Sequence, residues 1–153
     1  MTIASKTRTD LPGPLYLDAS ALVKLYLPEF DSPVLNRLLL GRRDALISDL
    51  GVTEVVSSLA RRCREGGIQR EAVLRLRREL LRNIEAGVYR RVELVPDVYR
   101  DSERLLLSLG NVAIRAADAL HLALAVSGGA ATVCTYDRRL TEATKAIGLH
   151  AYP

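Results

Sequence analysis

Four carboxylates stand where alternating strands and helices would bring them to one place: Asp18, Glu54, Asp118 and Asp137. Asp18 follows the short apolar run Leu15-Tyr16-Leu17, and helical spacing of Ala21, Leu22, Leu25 and Tyr26 begins just after it. An acid at such a strand-to-helix junction serves as a cap, accepting hydrogen bonds from the orphan amides of the first turn. It also suits a ligand at the carboxyl end of a parallel strand, where open α/β sheets place their sites. Asp137 follows the apolar stretch 131–135 in the same manner. Glu54 lies early in a helix that follows a strand. Asp118 sits in the first turns of the nearly all-apolar helix 114–125. A carboxylate there is costly to bury unless it is paired or bound to a metal. Each acid alone has an ordinary role: a cap for Asp18 and Asp137, a complement to the helix dipole for Asp118, a common first-turn residue for Glu54.

The four together pose an electrostatic problem. Carboxylates converging on one cleft repel each other and raise each other's pKa, and a bound cation removes the repulsion. An all-oxygen donor set selects hard ions, Mg²⁺ or Mn²⁺, over zinc. Such an ion lowers the pKa of an attacking water and stabilises a leaving oxygen, which is the chemistry of phosphodiester hydrolysis. Ser20 and Thr135 lie close in sequence to Asp18 and Asp137. They orient acids or waters, or are ordinary helix-start and strand-end hydroxyls. His121 is three positions after Asp118 and is expected to pack in the core or support a ligand rather than be one. His150 suggests nothing.

The elements that position these acids follow from apolar periodicity and breakers. Asp18 to Leu27 reads as a helix stopped by Pro28. Asp31-Ser32-Pro33 is expected to cap a second, ended by Gly41. Ala45-Leu46-Ile47-Ser48 is a strand, and a third helix starts at Ser48 or Asp49 and breaks at Gly66-Gly67. A longer helix spans 70–85, a strand 88–95, and a helix opens at Pro96-Asp97. The core helix carrying Asp118 follows, then the strand 131–135, a last helix to about Ala146, and an edge strand 149–152. This alternation gives an α/β fold with a largely parallel sheet and helices on both faces.

The chain of 153 residues suits one core, and 48% hydrophobic residues suffice to fill it without staples. Aromatics are 5% and Trp is absent, so that core is aliphatic. Cys63 and Cys134 show no metal-ligand spacing, which fits a reducing cytoplasm. No apolar run is long enough to span a membrane. Residues 1–14 read as a flexible polar leader closed by Pro12-Gly13-Pro14, ahead of one domain over 15–153. Net charge is +4, but residues 61–91 hold ten Arg against four Glu, so that segment carries +6 and the remainder −2. Pairs such as Glu71–Arg75 would neutralise part of a solvated helix face. The excess offers a phosphate backbone something to approach.

The blocks Leu15-Tyr16-Leu17-Asp18-Ala19-Ser20, Thr53-Glu54-Val55, Ala116-Ala117-Asp118-Ala119-Leu120-His121 and Thr135-Tyr136-Asp137-Arg138-Arg139 together resemble PIN-domain proteins. More narrowly they resemble the VapC toxins of bacterial toxin–antitoxin pairs. The resemblance implies a three-layer sandwich with a mostly parallel central sheet flanked by helices. It implies that Asp18, Glu54, Asp118 and Asp137 surround Mg²⁺ or Mn²⁺ as metal ligands and catalytic residues. It further implies endoribonuclease activity on structured RNA such as tRNA or rRNA, a homodimer, and a VapB-type antitoxin lying over the site. The apolar helices over 22–39 are the expected groove for that antitoxin. Two other functions compete: an RNA-binding or regulatory PIN domain with little turnover, and an acid-cluster phosphohydrolase of another α/β type. Asp18-Ala19-Ser20 lacks the second acid of the Asp-x-Asp pattern, which speaks against the last.

Overall fold

The structure, a computed structural model, describes residues 11–153. Five strands form one sheet in the order β3-β2-β1-β4-β5, and every neighbouring pair is parallel. The strands are β1 (Leu15–Leu17), β2 (Ala45–Ser48), β3 (Arg90–Val92), β4 (Thr132–Cys134) and β5 (His150–Tyr152). Among the described residues seven helices connect them: α1 (Ala19–Tyr26), α2 (Ser32–Leu39), α3 (Asp49–Arg64), α4 (Arg70–Glu85), α5 (Pro96–Ser108), α6 (Ala116–Ser127) and α7 (Arg138–Ala146).

All residues of β1, β2 and β4 are buried, as continuous apolar strands covered on both faces should be. Alternate residues feed two separate cores. Leu15, Leu17, Ala45, Ile47 and Cys134 pack with α1 to α4 on one face. Tyr16, Leu46, Val92 and Val133 pack with α5 to α7 on the other. The expected three-layer sandwich is therefore present, and its sheet is wholly parallel. No helix among the described residues is long and apolar enough to cross a membrane.

Two details differ from the periodicity. The strand expected over 88–95 is only three residues long, because its one partner, β2, ends at Ser48, opposite Val92. Asp31 makes no side-chain cap on α2. Its backbone carbonyl receives Val34 and Leu35 N–H, while its carboxylate lies 3.6 Å from Lys24. The leader expected over 1–14 falls largely outside the described residues. Within them, the Pro12 carbonyl accepts from the Thr132 hydroxyl, the Leu11 carbonyl from Arg42, and the Pro14 carbonyl from the Ala131 and Thr132 amides.

The sheet register sets the site. Leu17 pairs with Cys134, so the residues that follow, Asp18 and Thr135, emerge side by side at the carboxyl edge. Helix α6 runs back against the strands before β4, so its first turn, with Asp118, begins at that same edge. Its far end lies close to the sheet: a Cβ on Gly128 would stand 2.8 Å from Val92 Cγ2 and 3.0 Å from Leu46 Cδ1, both buried. Gly128→Ala is expected to overpack this contact and cost about 1–3 kcal/mol, measured as a fall in the urea midpoint without a change in slope.

A candidate metal centre at the carboxyl edge of the sheet

Asp18 caps α1 and is 4% exposed. Its Oδ1 accepts from the Ser20 hydroxyl at 2.7 Å and from the Ala21 amide at 2.9 Å. Its Oδ2 accepts from the Thr135 hydroxyl at 2.6 Å. Both hydroxyls are themselves anchored, Ser20 Oγ by the Tyr136 amide and Thr135 Oγ1 by the Asp137 amide. The loop after β4 is thus tied to the acid after β1. The two hydroxyls orient the acid, one of the two roles their sequence positions left open.

Asp137 caps α7, its Oδ1 accepting from the Arg139 and Leu140 amides. Asp118 reaches back from the third position of α6 to the Arg115 amide at 2.8 Å. The Arg139 guanidinium stands between these acids, 3.9 Å from an oxygen of each. Nothing in the order of residues had singled out Arg139.

Glu54 is held differently. Its Oε2 lies 2.6 Å from His121 Nε2, while His121 Nδ1 lies 2.8 Å from the Tyr16 hydroxyl. That hydroxyl is 2.8 Å from Ser48 Oγ, which accepts from the Gly51 amide. Tyr16, Ser48 and His121 are all buried, so each polar hydrogen needs an acceptor. One arrangement satisfies them all: Ser48 donates to Tyr16, Tyr16 donates to Nδ1, and Nε2–H donates to Glu54. Sequence reasoning placed His121 as a supporting residue but did not find Tyr16 or Ser48, whose side chains meet across 32 and 105 positions of chain.

Burial is the largest influence on the Asp18 carboxyl and pushes its pKa up, against the pull of the Thr135 and Ser20 hydroxyls and the Ala21 amide. Mutual repulsion among the acids was the expected cause, but no other carboxylate contributes to the rise. The Tyr16 hydroxyl is also pushed up, mainly by burial, and it feels the charges of both Asp18 and Glu54.

The donor set fits a hard divalent ion. A carboxylate offers about four lone-pair sites. Asp18 uses three, leaving one on Oδ2. Among the described residues, Glu54 Oε1, Asp118 Oδ1 and Asp137 Oδ2 accept no hydrogen bond. Each acid thus keeps an oxygen for a ligand while its other oxygen fixes its direction. As placed, no three His, Cys, Asp or Glu side chains among the described residues stand close enough to hold one ion. The four acids share an edge without forming a closed cage.

Known proteins resemble this chain throughout. The PIN-domain family model matches residues 15–146. Ribonuclease VapC46 of Mycobacterium tuberculosis is 32% identical over 140 residues, spanning 88% of this chain and 93% of that protein. Ribonuclease VapC49 of the same species is 34% identical over 141 residues, spanning 91% and 94%. Among solved structures, M. tuberculosis VapC20, described as a toxin that cleaves the sarcin-ricin loop, superposes with a TM-score of 0.67 at 17% identity. That alignment covers 89% of this chain and 96% of the other.

Two outcomes are expected of the metal-free protein. With the native Asp18 pKa above the unfolded value, the native state binds its proton first as pH falls. Stability therefore declines as pH rises from about 4 through the raised native pKa. Asp18→Asn removes that penalty, so in chelator the variant is at least as stable as wild type at neutral pH and its urea midpoint depends less on pH. Tyr16→Phe leaves the Ser48 hydroxyl proton and His121 Nδ1 without their partner and should cost about 1–3 kcal/mol in the same assay.

Proposed function

The chain belongs to the PIN-domain family, and from that membership we propose that it is a VapC-type toxin, a metal-dependent endoribonuclease. The observation that carries this reading is the buried Asp18 carboxylate at the carboxyl edge of the wholly parallel sheet, held by the Ser20 and Thr135 hydroxyls. Asp18, Glu54, Asp118 and Asp137 would hold Mg²⁺ or Mn²⁺ through their uncommitted oxygens. When bound, the ion supplies an activated water and stabilises the oxyanion that leaves.

The chain's own residues do the remaining work. Ser20, Thr135 and the Ala21 amide fix the Asp18 carboxylate in one orientation and favour its charged form. His121, buttressed by Tyr16 and Ser48, aims Glu54 by holding Oε2 and leaving Oε1 outward. Arg139 balances charge between Asp118 and Asp137 while no substrate is present. It is long enough to turn toward a phosphate oxygen once a cation takes that place.

The substrate is RNA, with structured RNA such as tRNA or rRNA the expected target, in the cytoplasm. The inhibitory partner is a VapB-type antitoxin, and a homodimer is the expected assembly. A groove of about 370 Å³ on α1, α2 and α4 suits an apolar antitoxin segment, being lined by Leu25, Leu39, Leu40, Val88 and Tyr89. Leu40 at its rim is 83% exposed.

Expression alone is expected to arrest growth of a bacterial host. Asp18→Asn or Asp118→Asn should relieve the arrest. Either should also lower RNA cleavage by more than the roughly 10–100-fold that an outer contact of a metal ligand contributes. Purified protein should cleave total bacterial RNA with Mg²⁺ or Mn²⁺ and stop in EDTA. An intact RNA pool together with harmless expression would remove the reading; tight RNA binding without cleavage would leave a regulatory RNA-binding domain.

A further inference from the structure

Glu54 does not end at the acidic edge. Counting along α3, Glu54, Ser57, Ser58, Arg61 and Arg64 fall at steps of three, four, seven and ten residues, which places them on one helical stripe. They line a cavity of about 310 Å³. Glu54 closes one end, hydroxyls stand in the middle and guanidinium groups at the other end.

These two arginines differ from their neighbour. Arg62 points away and pairs with Glu29 at 2.5 Å. Among the described residues, Arg61 and Arg64 have no ion pair and no side-chain hydrogen bond. Arg64 also borders a second cavity of about 290 Å³ shared with Arg70, so the positive track continues onto α4. There Glu71 makes no ion pair with Arg75, and among the described residues Arg75, Arg77, Arg78 and Arg82 likewise have none. The expected neutralising pairs are absent.

Resting on the ribonuclease reading above, we propose that the Ser57–Ser58–Arg61–Arg64 cavity is a subsite for RNA backbone phosphates flanking the bond that is cut. At 1.5 Å rise per residue, Arg61 and Arg64 lie about 10 Å and about 15 Å along the helix axis from Glu54. That reach is too long for the scissile phosphate and suits its neighbours. The lining chemistry is that of phosphate contacts, arginine with serine hydroxyls. No aromatic side chain is present to stack a base, and no amide side chain to read one. The subsite therefore holds RNA without selecting sequence. An acidic peptide would be drawn by the same charges. The hydroxyls beside the guanidiniums, the continuation of charge onto α4 and the contact with the catalytic edge through Glu54 favour the nucleic acid.

The test compares wild type, Arg61→Ala/Arg64→Ala and a charge-matched control, Arg100→Ala/Arg104→Ala on exposed α5, across the sheet from α3. Cleavage of total bacterial RNA is followed with Mg²⁺. Binding of a labelled mixed-sequence RNA oligonucleotide is followed against salt in an Asp18→Asn background. The subsite predicts that Arg61→Ala/Arg64→Ala raises KM about tenfold with kcat little changed. It also predicts that the slope of log affinity against log salt falls by about 1.4, at about 0.7 per phosphate released from a single strand. The control should move both much less. If wild type cleaves and the double variant matches it in KM and slope, the subsite is wrong. Equal losses in the control would assign the effect to net charge and also overturn it. So would weakened binding of poly-glutamate with RNA binding unchanged, which would mark a peptide site. A wild type that cleaves no RNA with any metal fails the ribonuclease reading instead, while the binding arm still tests the cavity.

Discussion

A carboxylate buried to 4% exposure at the end of a central strand is the constraint around which this molecule is arranged. Burying a charge is costly unless hydrogen bonds and an opposite charge offset the loss of water. Three donors converge on Asp18, and two of them are hydroxyls that also receive amides of the loop after β4. The acid therefore fastens two strand ends together as well as capping a helix. Hydrogen bonds do not bring its pKa back to the ordinary range, since burial remains the stronger influence. The Arg139 guanidinium lies against Asp118 and Asp137 instead. The divalent cation of the proposed function, taken at the remaining Asp18 lone pair, would offset that burial.

The wholly parallel sheet makes this possible. All neighbouring strands run the same way, so their carboxyl ends share one edge, and the acids that follow β1 and β4 come out on it from distant parts of the chain. The second core completes the design. Tyr16 points from β1 to the opposite face from Leu15 and Leu17, and its hydroxyl joins Ser48 at the end of β2 to His121 on α6. One buried chain of hydrogen bonds thus crosses two strands and a helix, and it emerges at Glu54. The packing of α6 through Gly128 keeps that chain in register.

Most of the frame is legible in the order of residues. Apolar periodicity and glycine or proline breaks place all seven helices, with α4 matching over 70–85 and α7 ending at Ala146. Asp18 and Asp137 stand out because each follows a strand, and Asp118 because it is an acid in an apolar helix; Glu54, expected in a first turn, is the sixth residue of α3 and carries no such signal. What stays hidden depends on side chains far apart in sequence. Tyr16 in the apolar run Leu15-Tyr16-Leu17 gives no sign that its hydroxyl has a partner 105 residues on. Arg139 is one arginine among many until α7 turns it toward Asp118. The capping role expected of Asp31 fails because a local preference loses to a tertiary one, the nearby Lys24 ammonium. The stripe from Glu54 to Arg64 is present in the spacing, yet only the cavity beside it distinguishes two guanidiniums without ion pairs among the described residues from an ordinary solvated face.

In the proposed function, acid at the sheet edge and the arginines of α3 would divide the labour of phosphodiester hydrolysis, with cation and water at one end and polyanion along the other. The central claim within that division is that the four carboxylates gather around one or more divalent ions. Diffraction from crystals soaked in Mn²⁺, with data collected at the manganese edge, tests it most directly. The account predicts an anomalous peak bonded to Asp18 and to at least two of Glu54, Asp118 and Asp137, at the roughly 2.0–2.2 Å expected of oxygen ligation to such ions. An edge without a peak, in crystals of protein that still cleaves RNA with Mn²⁺, would contradict it.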